Sequence, residues 1–455
     1  MSDHAAFRAS LRGEVLEPAD PGYHEARKLY NAMIDKKPAL IARAADVADV
    51  ITCVNYARDH GILLAIRGGG HNGPGLGSCN DGLVIDLSRM RGVRVNPSAR
   101  TVQVAGGAVW GDVDHATHPF GQAVPAGIIS TTGVGGLTLG GGIGHLSRKY
   151  GLTIDNLLEV DAVLADGSFV TANAEQHPDL FWAVRGGGGG NLGFATRWWL
   201  HTVPAENVIA FVANWWSNKN KQDIFKRLVR ALEAAPEQMG AQMSVYVTAL
   251  NSPLPNRISL IGQFRGPLDK FRAIVGSALA DAEQKIVLEL PYWKAQELFE
   301  IEAEPNRYQE TSLFADKLSD GLIEEAFSLL QSFPSTVARA RLTFFLTGGH
   351  VNKTKPDATA FVHRSSQWLI NPVVDDWPRG GNVDDDLKWQ REVLNRFAEI
   401  LGSTSSYQNF PDPELADHAE AYWGANLSHL SKVKAAFDPD SVFTPPRNQG
   451  IPRPV

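Results

Sequence analysis

The sequence predicts an α+β fold built from two domains. Its 455 residues exceed the ~100–200 residues of an ordinary domain, so at least two folding units are expected. Helix and strand patterns alternate through the first half of the chain, and glycine-dense segments separate them. Near residue 207 the glycine density falls, and long apolar strand patterns then alternate with amphipathic helices. That second texture is typical of a sheet backed by helices.

In the first half, each element is indicated by a local pattern. Residues 46–59 carry apolar side chains at helical spacing, and Gly61 provides the stop. LLEVDAVLADGSFVTA (157–172) predicts two strands whose turn lies at Asp166 and Gly167. Further strand or helix patterns lie at 63–67, 83–87, 101–107 and 109–117.

In the second half, the strand patterns are longer and richer in β-branched and aromatic residues. They lie at 208–216, 241–250, 257–264, 340–349 and 365–374. Amphipathic helices are predicted at 219–234 and 384–401. The last fifty or so residues return to loops and a short helix, and we expect them to pack back on the first domain.

Charge, hydropathy and cysteine content exclude several classes of function. A net charge of -7 offers no basic surface for nucleic acid. The first twenty residues carry charges where a secretory signal needs an apolar core, and no run approaches the ~18 apolar residues of a membrane helix. We therefore expect a cytoplasmic protein. Cys53 and Cys79 form no CxxC pair, and no HExxH is present, so no metal site is expected.

Three glycine-rich segments, at 67–77, 133–144 and 185–193, are the strongest indication of function. Backbone without side chains can approach a ligand closely, and successive N–H groups form a nest for anionic oxygens. A diphosphate is the natural occupant of such a nest. Glycines that only form turns would account for one such segment. They account poorly for three segments, one of which also carries His71.

Two common nucleotide-binding motifs do not account for these glycines. A Walker loop needs a lysine followed by serine or threonine, and neither pair follows the glycines here. The spacing of Gly68, Gly70 and Gly73 fits GxGxxG, yet proline and glycine follow where the Rossmann motif requires a helix.

RGGGHNGPGLGS (67–78) and GLVIDLSRM (82–90) resemble the flavin-attachment segment of the FAD-linked oxidases of the vanillyl-alcohol oxidase and berberine-bridge-enzyme-like family. The resemblance continues at both ends of the chain in the family's order, at 131–167, 179–194, 407–415, 421–443 and 448–451. The middle of the chain matches the family only in its general pattern of strands and helices, and its best matching segment is 350–364. Chain length and the soluble start resemble the bacterial branch, which includes hydroxynicotine oxidase.

The resemblance implies a two-domain flavoprotein. Residues 1–204 form a PCMH-type FAD-binding domain, and residues 205–404 form a substrate domain with an antiparallel sheet. Residues 405–455 return to the FAD-binding domain. The flavin ring is then expected at the joint between the two domains.

The resemblance also implies that His71 is bonded to the 8α-methyl carbon of the flavin, which leaves the ring electron-poor and a better hydride acceptor. Many family members have a second bond, through a cysteine four residues before Gly133. Ile129 stands there, so attachment through His71 alone is expected. Thr132 stands where oxygen-reactive members carry a small residue, and its valine-like shape favours an oxidase over a dehydrogenase.

Other cofactor contacts follow from the matched motifs. They are expected from Arg67, Gly68, Gly69, Gly70, Asn72, Gly73, Thr132, Gly133, Gly136, Gly141, Gly142, Gly144, His145, Asn191 and Asn409. For His145, a hydrogen-bonded loop residue beside the cofactor is favoured over an acid or base.

For catalysis, the first tyrosine of the family's YxNF segment is Tyr407, and it is the expected base or proton relay. With an ordinary pKa of ~10, its phenol needs neighbours that lower this value. His350 and His363 are the candidate substrate-binding residues, because the resemblance puts them on strands that face the flavin. The expected reaction transfers hydride from a CH–OH or CH–NH group of a small organic substrate to flavin N5, and O2 then yields H2O2. A dehydrogenase of the same fold with another electron acceptor, and a flavin-binding protein without turnover, are the alternatives.

Overall fold

The structure of the protein, a computed structural model, describes residues 3–217, 220–249, 256–299, 306–335, 338–377, 383–444 and 449–454. Helices and antiparallel sheets are mixed throughout, which confirms the predicted α+β class. Asn448, the first residue of the terminal segment that matches the family, lies outside the described residues.

The first half of the chain contains short strands and short helices. The strands are β1 (Glu14–Leu16), β2 (Leu40–Arg43), β3 (Leu64–Arg67), β4 (Leu83–Asp86), β5 (Val93–Asn96), β6 (Thr101–Ala105), β7 (Gln122–Ala123), β8 (Leu157–Val163), β9 (Phe169–Asn173), β10 (Phe194–His201) and β11 (Val203–Pro204). The helices are α1 (Asp3–Ser10), α2 (Tyr23–Ala26), α3 (Val47–His60), α4 (Trp110–Thr117), α5 (Val134–Leu139), α6 (Ser147–Tyr150) and α7 (Pro178–Ala183).

Two sheets organise this half. One has the order β1-β2-β4-β3, in which β2 and β3 run parallel to β4. The other has the order β5-β6-β10-β8-β9, and the predicted hairpin at Asp166 and Gly167 joins β8 to β9. Helix α3 begins at the cap Asp46, whose side chain accepts a hydrogen bond from the Asp49 N–H, and it ends at Gly61 in the left-handed conformation. These predicted elements are therefore confirmed.

The second half contains longer elements. Its strands are β12 (Asn207–Trp215), β13 (Met239–Thr248), β14 (Arg257–Phe264), β15 (Gln284–Pro291), β16 (Tyr308–Glu310), β17 (Leu313–Ala315), β18 (Arg339–Leu346) and β19 (Trp368–Asp375). Its helices are α8 (Lys221–Glu233), α9 (Leu268–Val275), α10 (Tyr292–Phe299), α11 (Asp320–Gln331), α12 (Asp384–Leu401), α13 (His418–Trp423) and α14 (Leu427–Phe437).

One large antiparallel sheet dominates this half, with the order β15-β12-β14-β13-β18-β19-β16, and β17 pairs with β19. Side chains from α8, α9, α11 and α12 form the largest apolar core with one face of the sheet, for example Phe225, Phe271 and Phe397. The other face packs against α10 at β12 and β14, and it lines a cavity at β13, β18 and β19. The strands can therefore present polar residues on the part of that face that opens to the cavity.

The C-terminal helices return to the first half of the chain. Leu430 and Val433 of α14 belong to the same apolar core as Leu180 of α7 and Trp198 of β10. The exact domain boundaries at 204 and 404 stay a prediction. In the described part of the chain, no helix combines the length and the apolar character needed to cross a bilayer.

Candidate active site

The three glycine-rich segments meet at one cavity of about 790 Å³, which lies between the first half of the chain and the polar face of the large sheet. Strand β3 ends at Arg67, and the first glycine segment follows it directly. The second segment contains α5, whose N-cap is Gly133, and the third precedes β10. Residues from all three segments line the cavity, so segments far apart in the sequence form one wall.

Close approach of the first two segments explains part of the glycine content. A Cβ atom on Gly69 would lie 2.3 Å from the backbone nitrogen of Gly133, and a Cβ atom on Gly133 would lie 2.3 Å from that of Gly69. Non-bonded atoms do not tolerate such distances, so each position excludes any side chain. This contact brings the His71 loop against the start of α5.

Other glycines leave open space. A Cβ atom on Gly136 or Gly190 would meet nothing within 4 Å, and one on Gly189 would reach only the Gly136 Cα at 4.0 Å. All three residues line the cavity. Side chains here would therefore fill space that is open to a ligand, and bare backbone keeps it available.

Arg67 provides a positive charge beside this glycine wall. One of its Nη atoms donates to the Asp86 carboxylate at 2.7 Å, and the ion pair is buried. Its other Nη atom is also buried and has no hydrogen-bond partner among the described residues. An unsatisfied buried donor in a cavity wall is costly unless a ligand accepts from it, so the Arg67 position favours an anionic group.

His71 lies in the same wall and is held from several sides. Its imidazole stacks on the ring of Tyr30, with centroids 4.0 Å apart, and its Nδ1 lies 3.5 Å from the Thr132 hydroxyl. Its backbone oxygen accepts a hydrogen bond of 3.2 Å from the Tyr308 phenol. Burial lowers the pKa of His71 to about 4. The imidazole is therefore neutral at pH 7 and keeps a nitrogen lone pair.

Tyr407 and Asn409 line the cavity and connect the C-terminal segment to the glycine wall. The Tyr407 phenol oxygen accepts hydrogen bonds from the Gly142 N–H at 3.0 Å and from the Asn409 amide at 2.9 Å. The Asn409 amide also donates to the Leu137 carbonyl at 2.9 Å. Burial raises the pKa of Tyr407 to about 12. A tyrosine that acts as a base needs neighbours that lower its pKa below the ordinary value. The hydrogen bonds to Tyr407 act in that direction, but burial outweighs them.

The opposite wall is formed by side chains of the large sheet. Strand register places Glu310, Val373, Arg341, Tyr246 and Arg257 in one row across five strands. Residues paired directly across neighbouring strands point to the same face. Four members of the row line the cavity, and Val373 between them is fully buried. This wall is therefore polar and partly charged.

Arg339, Arg341 and Asp375 form a linked ion-pair group on that wall. Arg339 contacts both oxygens of Asp375, at 2.7 and 3.0 Å, and Arg341 contacts one of them at 3.2 Å. Asp376 adds a further contact to Arg339 at 3.3 Å. Both aspartates are therefore engaged by arginine.

Most of the residues expected from the sequence to bind the cofactor line this cavity. They are Arg67, Gly68, Gly69, Gly70, His71, Asn72, Thr132, Gly133, Gly136, Asn191 and Asn409, together with the candidate base Tyr407. Gly73, Gly141, Gly142, Gly144 and His145 do not line the cavity. Gly142 still contributes through its hydrogen bond to Tyr407.

His145 differs from the hydrogen-bonded loop residue that the sequence predicts. Its ring is buried, both ring nitrogens have no hydrogen-bond partner among the described residues, and it contacts the Phe299 ring edge-on at 5.0 Å. Burial lowers its pKa to about 4, so the ring is neutral.

The two candidate substrate-binding histidines do not reach the cavity, which corrects the prediction that they lie on strands facing it. His350 lies on a 3₁₀ helix, because Gly348 and Gly349 adopt positive φ and end the strand pattern after β18. His363 is buried, contacts the Tyr422 carbonyl at 3.1 Å and stacks on Phe314. Neither histidine lines the cavity.

Glu310, Arg341 and Asn371 were missed by the sequence analysis, although all three line the cavity. Glu310 ends the three-residue strand β16, which is too short to produce a recognisable period. Arg341 and Asn371 lie in predicted strands, but only the register shows which face they occupy. Alternation along β18 and β19 is the signal that points to them.

Comparison with known proteins agrees with this architecture. A family model described as an FAD-binding domain matches residues 38–173, and one described as berberine and berberine-like matches residues 406–452. The uncharacterized FAD-linked oxidoreductase YgaK of Bacillus subtilis (strain 168) is 29% identical over 448 residues, which are 96% of each chain. The (R)-6-hydroxynicotine oxidase of Paenarthrobacter nicotinovorans is 31% identical over 268 residues, which are 58% of each chain.

A solved structure of BBE-like 1 from Physcomitrella patens superimposes with a TM-score of 0.85 at 27% identity, covering 98% of each chain. Fold, cavity and relatives together define an FAD-linked oxidoreductase. The matched FAD-binding and berberine-like segments and these relatives are consistent with the vanillyl-alcohol oxidase and berberine-bridge-enzyme-like family.

The cavity suits FAD on the observations above. The open space over Gly136 and Gly190 and the unsatisfied donor of Arg67 match a ligand that carries a diphosphate. The residues in position to hold it are those of the glycine wall, with Asn191 and Asn409 at its C-terminal side.

Proposed function

We propose that this enzyme is an oxidase. It removes hydride from a CH–OH or CH–NH group of a small organic molecule, and O2 is the final electron acceptor and is reduced to H2O2. Bound FAD supplies the hydride acceptor, at flavin N5. The observation that carries the proposal is a single cavity with two unlike walls, one of glycine backbone with His71 and one of polar strand side chains. Relatives named as oxidases of 6-hydroxynicotine and aclacinomycin support it.

We further propose that His71 carries the flavin covalently and alone. A neutral imidazole offers a nitrogen lone pair for the bond, and stacking on Tyr30 holds the ring in place. Ile129 occupies the position of the second attachment site and lines the cavity, whereas neither Cys53 nor Cys79 does so. Both cysteines are buried, and burial raises their pKa values, so their thiols are unreactive.

Oxygen reactivity is supported by Thr132. This small residue lines the cavity beside His71, where a bulkier side chain would restrict access to the cofactor. The expected behaviour is rapid return of the yellow colour when substrate-reduced enzyme meets air. Reduced flavin that persists in air would identify a dehydrogenase with another acceptor.

The test is the visible spectrum of the purified protein before and after acid precipitation. We expect yellow colour to remain in the wild-type pellet and to be lost from the pellet of His71→Ala. His350→Ala is the matched control, because its imidazole lies outside the cavity, and its pellet is expected to stay yellow. Colour released from the wild-type pellet would contradict the covalent bond, and a chain that cannot be reconstituted with FAD would contradict the oxidase proposal.

A further inference from the structure

The cavity contains several ionisable side chains, and most of them are poor proton acceptors at neutral pH. Tyr407 already accepts two hydrogen bonds, and burial holds its pKa at about 12. Tyr308 donates its phenol hydrogen to the His71 carbonyl, and burial raises the pKa values of Tyr308 and Tyr30. These phenols therefore stay protonated near neutral pH, and a protonated phenol is a poor acceptor for a substrate proton.

The other anionic and basic groups of the wall are also engaged. Asp375 is bound by Arg339 and Arg341, and Asp376 contacts Arg339 and the amide of Asn306. The oxygens of both carboxylates are therefore already held by arginine or amide donors. The imidazole of His71, with its pKa near 4, is also too weak a base to hold a proton at pH 7.

Glu310 is different. It ends β16 on the polar wall, and its Oε1 lies 3.3 Å from the position of a Cβ atom on Gly73, two residues beyond His71. Its Oε2 lies 3.4 Å from the Asn371 amide, a long hydrogen bond. Among the described residues it forms no ion pair within 4 Å. The carboxyl group therefore faces the cavity beside the His71 loop with unsatisfied acceptor capacity.

The surroundings of Glu310 oppose its ionisation. Burial raises the pKa of Glu310 to about 7, while Arg341 and the Asn371 amide act in the opposite direction. A carboxyl group with this pKa exchanges protons readily near neutral pH.

We propose that Glu310 accepts the proton that the substrate's O–H or N–H group loses during oxidation. The proposal rests on the function proposed above. The O–H or N–H bond breaks with its proton moving to Glu310, and the C–H bond breaks with its electron pair leaving as hydride to oxidised FAD. The substrate then leaves as the carbonyl or imine compound. Two electrons and two hydrogens are thereby accounted for.

Arg341 and Asn371 are positioning residues in this scheme. Arg341 lies in the same cross-strand row as Glu310, separated from it by Val373, and favours the charged carboxylate through space. Asn371 donates to the Glu310 carboxylate and to the Thr311 carbonyl, which orients the amide. Together they keep Glu310 ionisable in spite of its burial.

The first test follows unfolding temperature and needs no substrate. Holoenzyme and its Glu310→Gln variant are unfolded thermally from pH 5 to pH 8. The pKa of Glu310 rises on folding, from an ordinary 4.5 to about 7, so the wild type loses stability as pH rises through this window. Glutamine cannot ionise, and the variant is expected to gain several degrees relative to the wild type between pH 5 and pH 8.

The groups facing Glu310 do not obscure this difference. They are Tyr30, His71, Tyr308, Arg341 and Asp375. The pKa of His71 lies below the window, the pKa values of both tyrosines and of Arg341 are raised above ordinary values of 10.0 or more, and Asp375 is ion-paired. Parallel curves for wild type and variant would overturn the proposal, since they would mean that Glu310 is ionised throughout.

The second test is the rate of anaerobic flavin bleaching with three probes, 6-hydroxynicotine, xylobiose and vanillyl alcohol. With a probe that bleaches the wild type, Glu310→Gln is expected to slow bleaching by ~10²–10⁴-fold at pH 8 and to lose the pH dependence near 7. Glu310→Asp is expected to restore part of the rate. Glu289→Gln on the exposed edge of β15 is the matched control and keeps the wild-type rate.

The outcomes separate this proposal from the proposed function. An unchanged rate in Glu310→Gln would overturn the assignment of Glu310 while leaving the oxidase standing. Failure of all three probes to bleach the wild type would count against the proposed substrate range, and the thermal comparison would still decide whether Glu310 takes up a proton near neutral pH.

Discussion

The two walls of the cavity are made of different parts of the polypeptide. The wall from the first half of the chain consists largely of backbone, where glycine segments lie against each other and leave open space. The wall from the large sheet consists of side chains, and Glu310 and Arg341 are brought together by strands that are distant in sequence. Backbone binds a group common to all members of a family, and side chains select among substrates.

This difference explains how the two walls appear in the sequence. A backbone wall needs glycine at consecutive positions, so it leaves a local signature. A side-chain wall is specified by register and strand order, which involve residues far apart in the chain. The first wall is therefore visible in a single sequence, whereas the second becomes visible only in the folded chain.

The largest expected effect tests the backbone wall. Gly69→Ala places a Cβ atom 2.3 Å from the Gly133 backbone nitrogen, and backbone cannot yield as a side-chain tip does. We expect a loss of at least ~3 kcal/mol in the free energy of unfolding, together with loss of bound flavin. Denaturant unfolding and the flavin content per chain measure both effects.

The control for that variant is Gly136→Ala. Gly136 lies within α5, and its added Cβ atom meets nothing within 4 Å, so the fold is expected to gain ~0.5–1 kcal/mol from the better helix former. Flavin binding is expected to weaken, because the methyl group enters the cavity. Equal destabilisation by the two substitutions would show that the glycines serve the fold alone, and the contrast between the walls would fail.

The sequence predicted the backbone wall and most of the secondary structure for identifiable reasons. Helix α3 has a cap at Asp46 and a stop at Gly61, and the β8–β9 turn has the Asp-Gly signal, so both are local features. The glycine segments around His71 are local as well. Family resemblance extended these local features to the fold class, because residues of the matched motifs line the cavity.

The side-chain wall was not predictable in the same way. Strands β16 and β17 have three residues each, and such short strands show no period. The importance of Glu310 depends on its pairing with Val373, which no local pattern encodes. His350 was predicted to lie on a strand, but the two glycines before it turn the chain into a 3₁₀ helix.

A smaller effect tests which wall supplies the proton acceptor. Tyr407→Phe removes the oxygen that accepts from the Gly142 N–H and the Asn409 amide, and we expect a loss of ~1–3 kcal/mol in the free energy of unfolding. The proposed flavin attachment at His71 and the pH dependence of bleaching near 7 are expected to remain, because His71 and Glu310 are untouched. If Tyr407→Phe lost that pH dependence and Glu310→Gln kept it, Tyr407 of the C-terminal segment would be the proton acceptor and Glu310 would not.

The smallest expected effect defines where the side-chain wall ends. His350 is partly exposed on its 3₁₀ helix, and its side chain forms no hydrogen bond among the described residues. His350→Ala is therefore expected to change the free energy of unfolding by less than ~0.5 kcal/mol and to leave the KM and kcat of any active probe unchanged. A rise in KM without a change in stability would place His350 on a path that substrate crosses before it reaches the cavity. Selection of substrate would then begin outside the row formed by Glu310 and Arg341, and strand register alone would no longer account for it.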